Sequence, residues 1–327
     1  MITQRIWFER EVTSALLPLV PTAVEMLGPG GDGDVHAGIR TARAAVAARL
    51  PYDDHLFDLA PELVAVCRSG IGCDTIDFEA AARRGVAVCN VPDGPTVPTA
   101  EHALTLMLAA AKQVIPSALR LRDAAGAYYR SHGALELDGK KLGLVGFGRI
   151  ARRVAGYGTA LGMDVIAYDP YLPEDAFPPR VERATSLHQL LAPSDVVSVH
   201  VPMTDENARM FDADAFAAMK AGSVFVNAAR GGLVDQEALL AALDEGHLLG
   251  AGLDVTDPEP LDPDHPLLHH PDVIVTPHVA SATAEAKARM FGSAVEQALM
   301  VIAGQRPPHL VNPDVWNKVL RRVAGSG

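Results

Sequence analysis

The chain is short of cysteine, short of aromatic residues and has no surplus of positive charge, and these shortages narrow its function classes. Its three cysteines among 327 residues, Cys67, Cys73 and Cys89, are an odd set with no C-x-x-C spacing and no clustered histidines. A disulfide framework or structural metal site is not expected; buried free thiols in a reducing compartment are. Acidic residues outnumber basic ones, 40 to 28, for a formal net charge of -12. That balance argues against a nucleic-acid or anionic-membrane surface, which needs basic patches. A few arginines can still build a local anion site. No apolar run approaches the roughly 18 residues of a membrane span. The longest, Ala103–Ala111, reads as a core helix. The start, MITQRIWFER, lacks the apolar core of a signal peptide, so a cytoplasmic location is expected.

The length exceeds a typical single core and predicts two domains. Residues 1 to about 100 alternate short apolar runs (Arg5–Phe8, Ala44–Ala47, Leu63–Cys67, Val86–Asn90) with helical or loop segments. That alternation predicts a small α/β domain with a parallel sheet. Phe78–Arg84 carries helix formers and meets Gly85, a stop before the next strand. A long helical stretch follows, from Thr99 as its cap to about Ala124, broken or bent near Pro116. Six further β-like runs then occur: Leu142–Gly146, Val165–Tyr168, Val196–Val201, Val224–Val226, Ala251–Val255 and Val273–Val275. With helices between them they predict a doubly wound parallel sheet, whose ligand sits at the carboxyl ends of the strands. Asp235 and Gly246 punctuate a helix over 236–245, and Ala282–Ala303 reads as one helix stopped by Gly304. The tail PPHLVNPDVW is expected to return to the first domain, and the tip AGSG to be unstructured. The domains expected are therefore 1–100 completed by 290–327, and 101–289.

The sharpest motif is LGLVGFGRIARRVA, residues 142–155, a strand running into Gly146-Phe147-Gly148-Arg149-Ile150-Ala151 and then a helix. Gly146 permits the tight turn, Gly148 lets the backbone approach a pyrophosphate, and Ala151 stands at the helix–strand contact. The helix N-H groups and dipole face the phosphates, and Arg149 can add a side-chain contact. Such a turn alone is common. Asp169, ending VIAYD about 20 residues further on, supplies the carboxylate that accepts ribose hydroxyls and repels the extra phosphate of NADP. The pair fits NAD.

Three polar residues follow strands of the same block: Arg230 after SVFVNAA, Asp257 after AGLDVT and His278 after DVIVTP. In a parallel sheet those ends share one rim. Arginine can grip a carboxylate and polarise a carbonyl, imidazole can pass a proton, and a carboxylate can orient the imidazole. His200 also ends a strand, so position alone does not choose between the two histidines.

These stretches, with SGIGCDTID, AEHALTLML, LDGKKLGLVGFGRIA, HVPMTDEN, NAARGGLVDQEALLAAL, AGLDVTDPEPL and TPHVASAT in that order, resemble the D-isomer-specific 2-hydroxyacid dehydrogenases over nearly the full length. The resemblance implies a Rossmann-type NAD domain and a smaller, flavodoxin-like α/β substrate domain. It implies that Arg230 binds substrate and His278 is the acid/base. Asp254 would meet the carboxamide end of NAD, His200, Pro202 and Thr204 its nicotinamide side, and the backbone at Ala228 the ring. Arg149 and Ile150 would stand with the glycines at the pyrophosphate. Ile71 and Gly72 would offer backbone N-H groups to the substrate carboxylate. It further implies a small 2-hydroxy or 2-oxo acid as partner and a homodimer.

Asp257 stands where the family places a glutamate beside the histidine. One methylene shorter, it is still expected to serve, because Glu259 lies beyond Pro258 and matches another family position. Substrate identity is open. Glyoxylate, hydroxypyruvate or generic 2-oxo acids lead, and Arg49 and Arg68 leave 3-phosphoglycerate as an alternative. A reading of another class is an NAD(H)-sensing regulator of the corepressor type, which shares the fold.

Overall fold

The computed structural model describes residues 4–29, 34–122 and 128–325. The chain forms two compact units, Met1–Pro95 with Ala282–Gly327, and Thr96–Ser281. These boundaries fall earlier than the expected 100 and 289, because each of two long helices, Thr96–Ala111 and Ala284–Ile302, belongs whole to one unit.

The first unit holds five parallel strands, β1 (Gln4–Phe8), β2 (Val24–Leu27), β3 (Ala44–Ala47), β4 (Ala65–Arg68) and β5 (Ala87–Cys89), in the order β2-β1-β3-β4-β5. This is the flavodoxin-like order. β1, β3, β4 and β5 carry apolar runs because both their faces are covered. Ile6, Phe8, Val46, Cys67 and Cys89 face the helix Ala284–Ile302, while Trp7, Ala45, Val66 and Val88 face the helices Asp54–Leu59 and Phe78–Arg84. Cys67 and Cys89 are buried and Cys73 is half-buried. The Cys67 thiol, hydrogen-bonded to Cys89 and shut away from water, is held well above the usual thiol range.

The tail does return to the first unit. Leu310 bridges Cys89 in antiparallel fashion, and Asn312 then continues the pairing with its side chain. Its Oδ1 accepts from Val88 N at 2.8 Å and its Nδ2 donates to Val86 O at 3.0 Å, so a side-chain amide satisfies the open edge of β5 as a strand peptide would. The helix Trp316–Ala324 follows; Ser326 and Gly327 of the tip lie outside the described residues.

The second unit holds seven parallel strands: β6 (Lys141–Val145), β7 (Asp164–Tyr168), β8 (Val181–Arg183), β9 (Val196–Val199), β10 (Ser223–Asn227), β11 (Leu248–Leu253) and β12 (Val273–Val275). Their order is β12-β11-β10-β9-β6-β7-β8. From β6 the chain winds one way through β7 and β8, then returns to β9 and winds the other way. The reversal opens a crevice at the carboxyl ends of β6 and β9, where such sheets bind their ligand. One face packs on the helices Thr96–Ala111 and Arg149–Ala160, and the other on Ala213–Ala218 and Gln236–Asp244.

Two strands have no counterpart in the sequence reading. β2 (VEML) and β8 (VER) are short edge strands whose partial exposure leaves no apolar run. The long helix also differs. It starts at Thr96, with Pro98 in its first turn where the missing N-H costs nothing, so Thr99 is an interior residue and not the cap. It ends at Ala111, and a new helix runs Val114–Arg122 after Gln113 adopts a positive φ of 48°. Pro116 lies in the first turn of that second helix, again a tolerated place, and does not cause the break. The expected end of the stretch, at 124, falls outside the described residues. Among the described residues no single helix is long and apolar enough to cross a membrane.

Candidate active site

The crevice at β6 is built from the turn Gly146-Phe147-Gly148. Gly146 has φ 86°, and a Cβ on it would stand 2.8 Å from Val201 Cγ1 and 2.9 Å from His200 O. Only glycine fits there. At Gly148 the reverse holds: no atom lies within 4 Å of where a Cβ would be. Gly148 is the N-cap of the helix Arg149–Ala160 and makes no side-chain cap. Arg149 is exposed there, Ile150 is half-buried, and Ala151 is buried against the sheet. Asp169, one strand over, accepts from Phe147 N at 3.0 Å and from Tyr171 N at 3.1 Å. The glycine turn and the acidic residue are thereby held to each other. A helix N-terminus, an unobstructed cradle and an adjacent carboxylate suit the pyrophosphate and ribose of NAD.

The loop after β9 forms the other lip. His200 N donates to Val145 O at 2.7 Å and so joins the end of β6. Its ring meets Ser198 Oγ at 2.9 Å, and burial pushes its pKa down to about 4. A neutral imidazole of that kind does not exchange protons near neutral pH. Pro202 and Thr204 are exposed beyond it, and the loop is fixed by Asn207, which accepts from Thr204 N and donates to Pro202 O.

After β10 the chain turns through Ala228 to Arg230. Asn227, buried at the strand end, accepts from Ala229 N at 3.0 Å and donates to Arg230 O at 2.8 Å. Arg230 is half-buried, and its Nη1 donates to Ala229 O at 2.7 Å. The next residue could be nothing but glycine, since a Cβ on Gly231 would lie 2.0 Å from Thr256 O.

Asp254, at the end of β11, is buried and accepts four hydrogen bonds or near contacts. Thr276 Oγ1 stands at 2.6 Å, Val279 N at 2.9 Å, Ala280 N at 2.8 Å and His102 Nε2 at 3.4 Å. Burial pushes its carboxyl upward, but His102, Thr276 and the two backbone N-H groups outweigh that and hold it below the usual carboxylate range. Asp254 O in turn accepts from His278 N at 2.8 Å. His278 has φ 54°, in the left-handed region that a non-glycine residue enters only where its surroundings hold it.

The structure corrects the sequence reading at His278. Its Nδ1 lies 2.8 Å from Glu259 Oε1 and 3.0 Å from Oε2, so Glu259 and not Asp257 is its carboxylate partner. Asp257 is pinned elsewhere by its backbone: its N-H donates to Gln236 Oε1 at 3.1 Å and its C=O accepts from Gln236 Nε2 at 2.5 Å. Thr256 Oγ1 donates to Pro258 O at 2.9 Å. The segment is thus tied to the start of the helix Gln236–Asp244, and the side chain two residues on comes round to the imidazole. An ionised carboxylate only accepts, so Nδ1 carries the proton and Nε2 is the ring nitrogen turned away from Glu259.

In the first unit, Ile71 and Gly72 lie in the loop after β4. Ile71 is 37% exposed, and its C=O is taken by Asn90 Nδ2 at 2.9 Å, while Gly70 O accepts from Val91 N at 2.8 Å. The loop is anchored through its carbonyls. Glu259 was set aside in the sequence reading, and Asn227, Thr276 and His102 escaped it. Only Asn227, a polar residue closing an otherwise apolar strand, carried a local signal.

A glycine turn at the switch point thus shares one sheet edge with an imidazole–carboxylate pair and an arginine. The comparisons give the family. Residues 104–280 match the model of the D-isomer specific 2-hydroxyacid dehydrogenase NAD binding domain, and the chain belongs to that family. It is 44% identical to a D-3-phosphoglycerate dehydrogenase of Mycobacterium leprae over 82% of this chain and 51% of that protein. The chain thus spans about half the length of the phosphoglycerate dehydrogenases it matches first. A glyoxylate reductase of Korarchaeum cryptofilum is 38% identical over 81% of each chain. Among solved structures, the TT0316 protein of Thermus thermophilus superposes with a TM-score of 0.82 at 37% identity, covering 94% of this chain and 99% of that one. D-2-hydroxyisocaproate dehydrogenase superposes with the same score at 25% identity and the same coverage.

The half-buried, desolvated imidazole of His200 makes a prediction about pH. Between the ordinary imidazole value of about 6.5 and about 4, the unfolded chain takes up a proton that the folded chain refuses. Stability therefore falls as pH falls through that window. His200→Gln removes this dependence, whereas the Asp254 contribution, present in both proteins, is lost only at lower pH. Calorimetric unfolding temperatures should drop less steeply with acid in the variant; parallel curves would contradict the assignment.

Proposed function

We propose that the chain catalyses reversible hydride transfer between nicotinamide and C2 of a small D-2-hydroxy acid, the 2-oxo acid being its partner in reduction. The observation that carries this reading is the His278–Glu259 pair, placed by β11 and β12 on the same sheet edge as Arg230. NADH supplies the hydride when bound, and the residues around it do the rest. Gly146, Gly148, Arg149 and Ile150 meet the pyrophosphate, and Asp169 takes the ribose hydroxyls. His200, Pro202 and Thr204 line the nicotinamide side, the backbone at Ala228 touches the ring, and Asp254 meets the carboxamide. Arg230 grips the substrate carboxylate and polarises the C2 carbonyl. The N-H groups of Ile71 and Gly72 are assigned to substrate as the resemblance implies. His278 gives a proton from Nε2 to the C2 oxygen as charge develops on it, and Glu259 stabilises and orients the imidazolium. Oxidation reverses each role. Asp257 has no part in the proton transfer.

For the substrate, a second reading has an observation of its own. Arg68 folds over Gly70, its Nη1 3.3 Å from where a Cβ on that glycine would stand. A guanidinium beside the carboxylate loop favours a substrate with a second anionic group, such as 3-phosphoglycerate. A homodimer formed through the second unit is supported by apolar side chains left in solvent on and beyond the helix Val114–Arg122, with Leu121 66% and Tyr129 96% exposed. Leu121→Glu should shift the sedimentation of the protein from dimer to monomer; a wild-type monomer would contradict the dimer.

The function is tested by following NADH oxidation against glyoxylate, hydroxypyruvate, pyruvate and 3-phosphohydroxypyruvate. At least one should turn over, the phosphorylated acid best if Arg68 binds its phosphate. Glu259→Gln should lower kcat by about ten- to a hundredfold, while Asp257→Asn stays within about twofold of wild type. The reverse order would restore Asp257 as the partner. NADH binding without turnover of any acid would instead support an NAD(H)-sensing regulator.

A further inference from the structure

We infer that His102 is a positioning residue for hydride transfer, holding through Thr276 and Asp254 the turn that carries His278. This rests on the function proposed above and adds a residue that touches neither substrate nor cofactor.

His102 projects from the helix Thr96–Ala111, and its Nε2 lies 2.9 Å from Thr276 Oγ1 and 3.4 Å from Asp254 Oδ1. Proton accounting fixes the state of the ring. Thr276 has one hydroxyl proton, and its best acceptor is Asp254 Oδ1 at 2.6 Å; the alternative, Leu253 O, is at 3.5 Å. With that proton committed, Thr276 Oγ1 can only accept from His102, so Nε2 carries a hydrogen. The chain of donors therefore runs His102 to Thr276 to Asp254.

The consequence falls on the geometry of the site. Asp254 Oδ1 takes Thr276, Val279 N and the His102 contact, while Oδ2 takes Ala280 N. The two backbone donors directly follow His278, whose own N-H is bonded to Asp254 O and whose φ is 54°. An aspartate free to rotate would release the two N-H groups that stabilise this unfavourable backbone conformation. His102 blocks that rotation by keeping Thr276 aligned as a donor to Oδ1. It thus sets the direction of the His278 ring and the position of the carboxylate assigned to the nicotinamide carboxamide. A network of this kind is worth more than its separate bonds, because each donor orients the next acceptor.

The test compares His102→Phe, which fills the space without a donor, with His102→Gln, whose amide N-H can reach the same hydroxyl. Calorimetry first selects conditions where both are folded. In His102→Phe, kcat should fall by about ten- to a hundredfold, the loss expected when a reacting group is misplaced by a fraction of an ångström to one ångström. KM for the oxo acid should stay within about threefold, and His102→Gln should recover most of the rate. Equal impairment in the two variants would show that only packing matters and overturn the proposal, as would a wild-type kcat in His102→Phe. Should wild-type protein turn over no acid, the function reading fails separately. NADH titration by fluorescence then decides about His102. Weaker binding in His102→Phe, restored by His102→Gln, supports the assignment through Asp254, and unchanged binding in both overturns it.

Discussion

The site depends on one buried carboxylate. Asp254 closes β11, and from there it binds the two N-H groups after His278, the Thr276 hydroxyl that follows β12, and, more distantly, the ring of His102. Burying a charge is costly unless its lone pairs are used, and a hydrogen bond to a charged group returns about 1.5–3 kcal/mol. Asp254 is fully enough paired to stay ionised in the interior. Parallel strands make the arrangement possible, because β10, β11 and β12 all end on one edge and the short turns beyond them can reach each other.

That edge is also where the sheet reverses its winding. β6 and β9 lie side by side at the switch point, and the glycine turn, the helix N-terminus behind it and Asp169 occupy the crevice beyond them. The hydrogen bond from Phe147 N to Asp169 means that the glycine turn and this carboxylate are positioned by each other. His200 ties the far lip to β6, and its burial removes it from proton chemistry. The two strand-ending histidines, indistinguishable by position in the sequence, are separated by their surroundings: one is neutral against Ser198, the other paired with a carboxylate.

How much of this was legible in the sequence follows from where the signals were local. The Gly146–Ala151 turn, Asp235 and Gly246 around their helix, and the buried strands are written in short patterns, and those readings agree with the structure. The edge strands Val24–Leu27 and Val181–Arg183 were missed because exposure on one side dilutes an apolar run. Pro116 misled because it reads as a breaker but sits in a first helical turn, where its missing N-H would have had no partner. Glu259 was set aside on alignment with the family and on the proline before it. What decides the matter is the Gln236 bracket on the Asp257 backbone, a contact across twenty residues that no local pattern reveals. His102 was invisible for the same reason, since its partners lie just beyond β11 and β12.

The central claim, direct transfer between the nicotinamide and C2 of the acid, is tested by reducing pyruvate or another active 2-oxo acid with NADH deuterated on the transferring side of C4. The account predicts a 2-hydroxy acid of D configuration carrying one deuterium at C2. A product with no deuterium at C2, or with the L configuration, would contradict it.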